Sequence, residues 1–217
     1  MRVAFFDLDR TLVHGNSARL WVRHEWRRGA LRNRIFLKGL AYLAAYRMGY
    51  ADVEDALRLG ITTLAGQRES ELSALAVSFY AREVKPLLRR DARSAIARHR
   101  AAGNKLVLLT SSSPYLSSAV TSDLGLDDFL CTRFEVDGAG CFTGRALEPV
   151  CFGGGKVRLA TSYVEKQGVH LADCAFYSDS FSDLPMLEAV GEPVVVTPDP
   201  RLRRHARARG WPIVTWT

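Results

Sequence analysis

From residue 89 onward the chain alternates between short apolar runs and helical segments, and this alternation restricts the fold more than any other feature. Runs such as Lys105–Leu109 and Cys174–Ser178 are typical of buried strands, and the segments between them carry helix starts and glycine stops. Strands separated by helices pair in parallel, with helices on both faces of the sheet. The pattern predicts an α/β fold with three layers and a doubly wound parallel sheet.

The individual elements follow from the same periodicities. The predicted helices are Arg89–Ala102, Pro114–Leu124, Lys156–Gln167, Ser182–Val190 and Pro200–Arg209. The predicted strands are Arg2–Phe6, Lys105–Leu109, Phe129–Val136, Cys141–Arg145, Cys174–Ser178, Val194–Val196 and Ile213–Thr215. Asp137-Gly138-Ala139-Gly140 indicates a hairpin between the third and fourth of these strands.

Three predicted strands end in polar clusters, namely Asp7–Thr11, Thr110–Ser113 and Ser178–Asp183. Ligands of doubly wound sheets bind at the carboxyl ends of the strands. A protein that needed these segments only for its core would have no reason to collect polar residues at three strand ends. We therefore expect a ligand site at this edge of the sheet.

Asp7 and Asp9 lie two residues apart at the end of a buried strand, where like charges are costly without a counter-charge. A hard divalent cation such as Mg²⁺ takes oxygen ligands and leaves room for a phosphate. Asp179, at the end of a later strand, would complete the carboxylate pair around the ion. The alternative is an ordinary polar turn in which Asp9 or Thr11 caps a helix.

A phosphate-oxygen site is predicted from Thr110 and Ser111, since a hydroxyl and a backbone N–H there precede a helix N-terminus. Lys156 follows three glycines and could place its charge on the same phosphate. The alternatives are a helix cap for Thr110 and an exposed helix-start lysine for Lys156. A nucleotide-binding P-loop is rejected, because Val150 and Val157 occupy positions that require glycine and serine or threonine.

The stretch from Asn16 to about Tyr80 has helical periodicity and no good strand. It predicts four helices: one from Asn16–Ser17 to Arg28, one over Ala30–Met48, one from Asp52 to Gly60 and one over Arg68–Arg82. A helical block between the first strand and the next indicates an insertion. We expect residues 16–83 to form a helical cap domain and residues 1–15 and 84–217 to form the core.

The first half of this insertion is strongly basic, and aromatic residues are interleaved with the charges. The basic residues are Arg19, Arg23, Arg27, Arg28, Arg32, Arg34, Lys38 and Arg47, against the single acid Glu25. Three interpretations stay open: a solvated helix face, a surface that attracts an anionic substrate, or contact with membrane phosphates or nucleic acid. No nucleic-acid-binding signature accompanies the charges.

The whole chain of 217 residues has 30 basic and 23 acidic residues, a net charge of +7 that favours anionic partners. The four cysteines show no zinc-ligand spacing, and no signal sequence precedes the first strand. The apolar segment Ile35–Tyr46 is short for a membrane span and contains Lys38. We therefore expect reduced thiols, no transmembrane segment and a cytoplasmic location.

Four motifs, DLDRT, LLTS after a strand, a lysine after a glycine-rich turn and SDSFSDLPML, resemble the haloacid dehalogenase-like superfamily in their order. The DxDxT form is similar to its phosphatases, and the helical insertion resembles a type 1 cap. SDSFSDLPML and the tail VTPDPRLRRHARARGWPI resemble the subfamily (IB) that contains phosphoserine phosphatase and proteins similar to histidinol-phosphate phosphatase. The resemblance covers essentially the whole chain.

The resemblance implies a role for each motif residue. Asp7 would accept the phosphoryl group, and Asp9 would protonate the leaving oxygen and then activate water. Asp7, Asp179 and the Asp9 carbonyl would bind Mg²⁺. Thr110 and Ser111 would bind phosphate oxygens, and Lys156 would stabilise the developing charge. Thr11 would support the loop, and Asp183 would assist at the metal or orient Lys156.

The implied activity is Mg²⁺-dependent hydrolysis of a small phosphorylated metabolite through an aspartyl phosphate. Two positions depart from phosphoserine phosphatases, which have glutamate at Asn16 and glycine at Ser111; the first departure disfavours a zwitterionic phosphoserine. Phosphoryl transfer to an alcohol is one alternative function. A non-catalytic protein that binds phosphate or anionic lipid through the basic insertion is another.

Overall fold

The computed structural model of the chain describes residues 2–29 and 53–217, except the side chains of Val53 and Ala56. The helices are α1 (Ser17–Arg27), α2 (Val53–Thr62), α3 (Glu69–Phe79), α4 (Arg90–Ala101), α5 (Pro114–Leu124), α6 (Gly154–Glu165), α7 (Leu184–Ala189) and α8 (Pro200–Arg209). A π-helical turn over Tyr80–Val84 and 3₁₀ turns over Lys85–Leu87, Leu171–Asp173 and Phe181–Asp183 join some of them. The predicted helix over residues 30–48 lies outside the described residues.

The strands form two sheets. They are β1 (Val3–Phe6), β2 (Lys105–Thr110), β3 (Asp128–Cys131), β4 (Arg133–Val136), β5 (Phe142–Leu147), β6 (Ala175–Ser178), β7 (Glu192–Val196) and β8 (Ile213–Val214). The main sheet has the order β3-β2-β1-β6-β7-β8, and all its neighbours are parallel. β4 and β5 form a separate antiparallel hairpin.

The side chains of β1 alternate between two cores, one on each face of the main sheet. Phe6 packs in a core with α4 and α5, and Phe5 packs in a second core with α6, α7 and α8. Both phenylalanines are fully buried, as expected for a central strand covered on both sides. The predicted α/β fold with three layers and a parallel sheet is confirmed.

The prediction of one continuous strand over residues 129–136 is wrong. The run is divided at Thr132 between β3 of the main sheet and β4 of the hairpin. Thr132 is fully buried, and its hydroxyl accepts a hydrogen bond from the Cys151 N–H at 3.2 Å, where the chain returns from the hairpin. An apolar run shows that a segment is extended, but it does not show where the segment changes sheets.

Within the described part of the insertion every regular element is helical, with boundaries close to those predicted. α2 continues two residues past Gly60, and α3 passes into the π-helical turn at Tyr80. No helix in the described ranges is long and apolar enough to cross a membrane. The division into a core and a cap at residues 15/16 and 83/84 stays a prediction.

The segment between α2 and α3 is hydrogen-bonded to the β4–β5 hairpin through the backbone. The Gly66 N–H donates to the Phe142 carbonyl at 2.8 Å, and the Phe142 N–H donates to Gln67 at 2.9 Å. The Glu69 N–H donates to Gly140 at 3.0 Å. This part of the insertion is therefore attached to the hairpin as if to a neighbouring strand.

Candidate active site

The ends of β1, β2 and β6 place the predicted polar clusters side by side. β1 lies between β2 and β6 in parallel register, with Phe6 opposite Leu108 and Tyr177. The Asp7 N–H continues this ladder by donating to the Tyr177 carbonyl at 3.0 Å. Asp7 and Asp179 therefore follow adjacent strands and reach the same edge of the sheet.

Lys156 lies at the centre of this edge rather than on the surface. It is 2% exposed, and its Nζ donates to Asp7 Oδ1 at 2.7 Å and to Asp183 Oδ2 at 2.8 Å. Ser178 Oγ also donates to Asp183 Oδ2, at 2.6 Å. The exposed helix-start alternative for Lys156 is therefore wrong: the side chain joins carboxylates that are 149 and 27 residues away in the sequence.

The glycine before Lys156 is required by the close approach of the backbone. A Cβ on Gly155 would lie 1.8 Å from the Val150 carbonyl oxygen, so no other residue fits there without moving the chain. This contact sets the start of α6 against the preceding loop and directs Lys156 into the sheet edge. The glycine-rich stretch thus has a packing role, which differs from that of a phosphate-cradling loop.

Burial and neighbouring charges shift the pKa values of Asp7, Asp179 and Lys156. Burial raises the pKa of Asp7 well above its ordinary value; Lys156 opposes this shift, while Asp183 and Asp179 reinforce it. Burial, and then the charge of Asp183, raises the pKa of Asp179 to about 7. Burial alone would lower the pKa of Lys156, but Asp183 and Asp7 hold it above its ordinary value.

This edge has a surplus of negative charge that fits a bound cation. Lys156 pairs with two buried carboxylates, those of Asp7 and Asp183, and a third buried carboxylate, that of Asp179, has no ammonium paired with it. The Asp179 carboxylate forms no hydrogen bond or ion pair with another described residue. Among the described residues no group of three or more His, Cys, Asp or Glu side chains is placed to hold a metal ion by itself. Carboxylates are hard oxygen donors of the kind that Mg²⁺ takes together with water or substrate oxygens.

Asp9 faces the start of α1. Its Oδ1 accepts from the Ser17 N–H at 2.7 Å, and its Oδ2 accepts from Ser17 Oγ at 3.1 Å and Asn16 Nδ2 at 3.3 Å. Burial raises the pKa of Asp9, while the two Ser17 hydrogen bonds oppose that shift. The carboxylate thus binds a helix N-terminus eight residues ahead, although Asn16 occupies the cap position itself.

The remaining predicted residues lie at the same edge in different environments. Thr110 is buried, and its hydroxyl oxygen accepts from the Ser112 N–H at 3.2 Å; the cap of α5 is Ser113. Ser111 is half-buried. Thr11 is fully buried, and its hydroxyl has no hydrogen-bond partner among the described residues, so any support it gives to the loop comes from packing.

Two contributors to the site were not identified from the sequence, Ser17 and Ser178. Ser17 was interpreted only as part of a helix start, and no local pattern indicates that its N–H and hydroxyl both reach Asp9. Ser178 precedes Asp179 in the last motif, so its position was a usable signal. Both contacts depend on which elements meet in space.

The basic face of the insertion is partly neutralised. Glu83 lies 3.3 Å from Arg23 and 3.6 Å from Arg27, and Arg28 pairs with Glu25 at 3.2 Å. Arg19 of this set is exposed, and positions 32, 34, 38 and 47 lie outside the described residues. The described part of α1 therefore presents less free positive charge than its sequence indicates.

A model of the haloacid dehalogenase-like hydrolases matches residues 4–188, which include β1, the insertion, Lys156 and Asp179. The chain belongs to this family of hydrolases. The four motifs that carried the resemblance all fall within the match, and the assignment is consistent with the parallel sheet and the placement of the carboxylates.

Several individual proteins resemble the chain over nearly its full length. Phosphoserine phosphatase SerB1 of Mycobacterium tuberculosis is 35% identical over 97% of this chain and 69% of its own. The histidinol-phosphatase of Neisseria meningitidis is 27% identical over 99% of this chain and 98% of its own. A solved structure of a Bordetella pertussis protein of unknown function superposes with a TM-score of 0.89 at 30% identity, covering 98% of this chain and 97% of that one.

Proposed function

We propose that the protein is a Mg²⁺-dependent phosphomonoester hydrolase that acts through an aspartyl phosphate on a small phosphorylated metabolite. The observation that carries this proposal is the ion pair between Asp7 and the buried Lys156 at the strand edge. Lys156 binds one oxygen of Asp7, which leaves the other oxygen for phosphorus. The names of two relatives, a phosphoserine phosphatase and a histidinol-phosphatase, support the same class of reaction.

In the first half-reaction an Asp7 oxygen bonds to phosphorus while the bond from phosphorus to the ester oxygen breaks. Asp9 donates its proton to that leaving oxygen, and the alcohol departs. In the second half-reaction Asp9 takes a proton from water, whose oxygen bonds to phosphorus as the bond to Asp7 breaks. Inorganic phosphate is released, and both carboxylates return to their starting state.

The phosphoryl group carries charge that other residues offset. The Thr110 hydroxyl accepts from the Ser112 N–H, so its own hydrogen is free to bind a phosphate oxygen, and the Ser111 N–H would bind another. Lys156 stabilises the charge that develops near Asp7. The side chains of Asp7 and Asp179 and the Asp9 carbonyl would hold Mg²⁺, which when bound supplies positive charge opposite the phosphate.

Asn16 influences which substrate the site accepts. Its Oδ1 accepts from the Arg19 N–H at 3.0 Å to cap α1, and its amide faces Asp9. The side chain is thus already engaged and offers no carboxylate to a substrate amine. We infer that phosphoserine is a poorer substrate than phosphate esters that lack a zwitterionic group next to the phosphate.

The proposal is tested by measuring phosphate release from a panel of esters with and without Mg²⁺. The panel includes an aryl phosphate, histidinol phosphate, phosphoserine and lysophosphatidate. Metal-dependent release from any ester supports the proposal, and absence of release from all of them contradicts it. Addition of an alcohol acceptor separates hydrolysis from phosphoryl transfer, because transfer lowers free phosphate in favour of a new ester.

We expect Mg²⁺ to bind more weakly as the pH falls below about 7, because it must displace the proton of Asp179. For a pKa near 7, the apparent affinity should be about tenfold lower at pH 6 than at pH 8. Without metal, the raised pKa favours the folded state at low pH, and this contribution is lost as the pH rises toward 7. Calorimetric titration at both pH values is the measurement; equal affinities would contradict the assignment.

Ser17→Ala should remove one of the hydrogen bonds that hold Asp9 and thereby impair proton donation to the leaving oxygen. For an alkyl phosphate, whose alkoxide needs that proton, kcat/KM should fall about tenfold or more. For 2,4-dinitrophenyl phosphate, which needs little proton donation, the change should be small. Ser117→Ala removes an equally buried hydroxyl on α5 and serves as the control. An equal loss on both substrates would show that Ser17 does not act through Asp9.

A further inference from the structure

Five charged side chains are buried in the part of the chain that the structure describes, and one of them has no place in the reaction above. Four of them, Asp7, Lys156, Asp179 and Asp183, form the candidate site. The fifth is Arg89, which is 5% exposed and immediately precedes α4, where the chain returns from the insertion. A buried arginine is costly unless its donors are used, so its contacts identify its role.

Arg89 binds backbone carbonyls rather than carboxylates. Its guanidinium donates to the Arg10 carbonyl at 3.2 Å and to the Trp216 carbonyl, and its own N–H donates to Leu12 at 2.9 Å. No described carboxylate lies within ion-pair distance of it, and its Nε is buried without a partner. Two of its three hydrogen bonds therefore reach the loop that carries Asp7 and Asp9.

Arg10 has an unusual backbone conformation, with φ at 59°. The left-handed region is unfavourable for residues other than glycine, because Cβ approaches the following carbonyl. The Arg10 N–H donates to the Gly15 carbonyl at 2.9 Å, and its own carbonyl accepts from Arg89. Both polar groups of this strained residue are thus held, one from within the loop and one by Arg89.

We propose that Arg89 is a positioning residue, which holds the Arg10 carbonyl and thereby the left-handed turn that aims Asp7 and Asp9 at the same phosphate. Its effect on catalysis rests on the proposed function, whereas its effect on the loop does not. The competing explanation is that Arg89 only anchors the C-terminal residues through Trp216.

The test is a double-mutant cycle between Arg89→Met and Arg10→Gly. Glycine adopts the left-handed region without strain, so the loop should depend less on Arg89 when residue 10 is glycine. In the wild-type background, Arg89→Met should lower kcat for the preferred ester about 10- to 100-fold, with a smaller change in KM. In the Arg10→Gly background, the same substitution should lower kcat by only a few fold.

Hydrogen–deuterium exchange of residues 7–15 measures the loop directly and does not depend on activity. The exchange rate of these residues should rise in Arg89→Met. In the double variant it should be close to the rate measured for Arg10→Gly alone. Arg100→Met is the matched control, since Arg100 lies on α4, the helix that Arg89 precedes, and donates to two backbone carbonyls, of Leu124 and Gly125, away from the loop. This control should leave both kcat and loop exchange unchanged.

Equal losses of kcat in the two backgrounds, or faster exchange confined to residues 211–217, would overturn the proposal in favour of C-terminal anchoring. If the wild type releases no phosphate from any ester, the proposed function fails and loop exchange alone decides the role of Arg89. Where Arg89→Met does not fold, Arg89→Lys replaces it. Lysine keeps the charge but reaches one carbonyl fewer, so it should give the same pattern with a smaller amplitude.

Discussion

Asp7→Asn is expected to abolish phosphate release while the protein remains folded. Asparagine has nearly the same shape, but its amide is a poor nucleophile toward phosphorus, so kcat should fall about 10⁴-fold or more. The substitution removes one of three crowded carboxylates, and Lys156 keeps Asp183 as a partner at 2.8 Å. The melting temperature should therefore change little. Phosphate release and thermal unfolding are measured on the same preparation.

Asp173→Asn is the control for Asp7→Asn, because Asp173 is exposed in a 3₁₀ turn away from the strand edge. It should leave activity and stability unchanged. Acid quenching during turnover of a phosphorus-labelled ester should trap label on the wild-type protein and on the control, but not on Asp7→Asn. Residual turnover of the Asp7→Asn protein above a few per cent would remove Asp7 as the phosphoryl acceptor.

Lys156→Met should reduce both activity and stability, unlike Asp7→Asn. It leaves the carboxylates of Asp7, Asp179 and Asp183 buried together without their ammonium, and breaking a buried ion pair costs about 3–5 kcal/mol. Removal of a charge opposite the transferring group should also lower kcat about 10²–10³-fold. Denaturant unfolding gives the free energy of unfolding, and the phosphate assay gives kcat.

Lys166→Met provides a matched control on the same helix, since Lys166 is exposed at the end of α6. It should have no measurable effect on kcat and little effect on unfolding. Because Mg²⁺ would offset part of the negative charge that Lys156→Met leaves unpaired, the stability lost in that variant should be partly recovered at saturating Mg²⁺. Unchanged stability in Lys156→Met would mean that the ion pairs at 2.7 and 2.8 Å contribute nothing net.

The parallel sheet and the meeting of its strand ends could be predicted because both follow from local patterns. Apolar runs such as Arg2–Phe6 and helical segments repeat along the chain, and parallel strands must end at one edge. The sequence alone therefore predicts that Asp7, Thr110 and Asp179 lie near one another. The roles of these residues stay predictions until the variants are measured.

What could not be predicted depends on contacts between distant segments. An apolar run does not indicate that the chain changes sheets at Thr132. The sequence is equally compatible with a buried and with an exposed Lys156. Each of two contacts uses a backbone group that any residue possesses: the Ser17 N–H donates to Asp9, and the Arg10 carbonyl accepts from the Arg89 guanidinium. Sequence patterns report side-chain chemistry, so interactions of this kind are found only in three dimensions.

Three backbone hydrogen bonds hold the α2–α3 segment against the β4–β5 hairpin, and they restrict how the helices can move relative to the strands. Moving α2 and α3 away from the hairpin would break all three hydrogen bonds, at a cost of about 1 kcal/mol for each bond. The hairpin leaves the main sheet after Cys131, and the chain returns at Cys151, whose N–H donates to Thr132 at 3.2 Å and whose thiol donates to the Leu130 carbonyl at 3.5 Å. Tyr115 on α5 donates to Glu69 of α3 at 2.9 Å, and its ring packs edge-on against Phe134 and Phe142 of the hairpin. The α2–α3 segment and the hairpin are therefore also fixed to α5, and displacing them together would break these contacts as well.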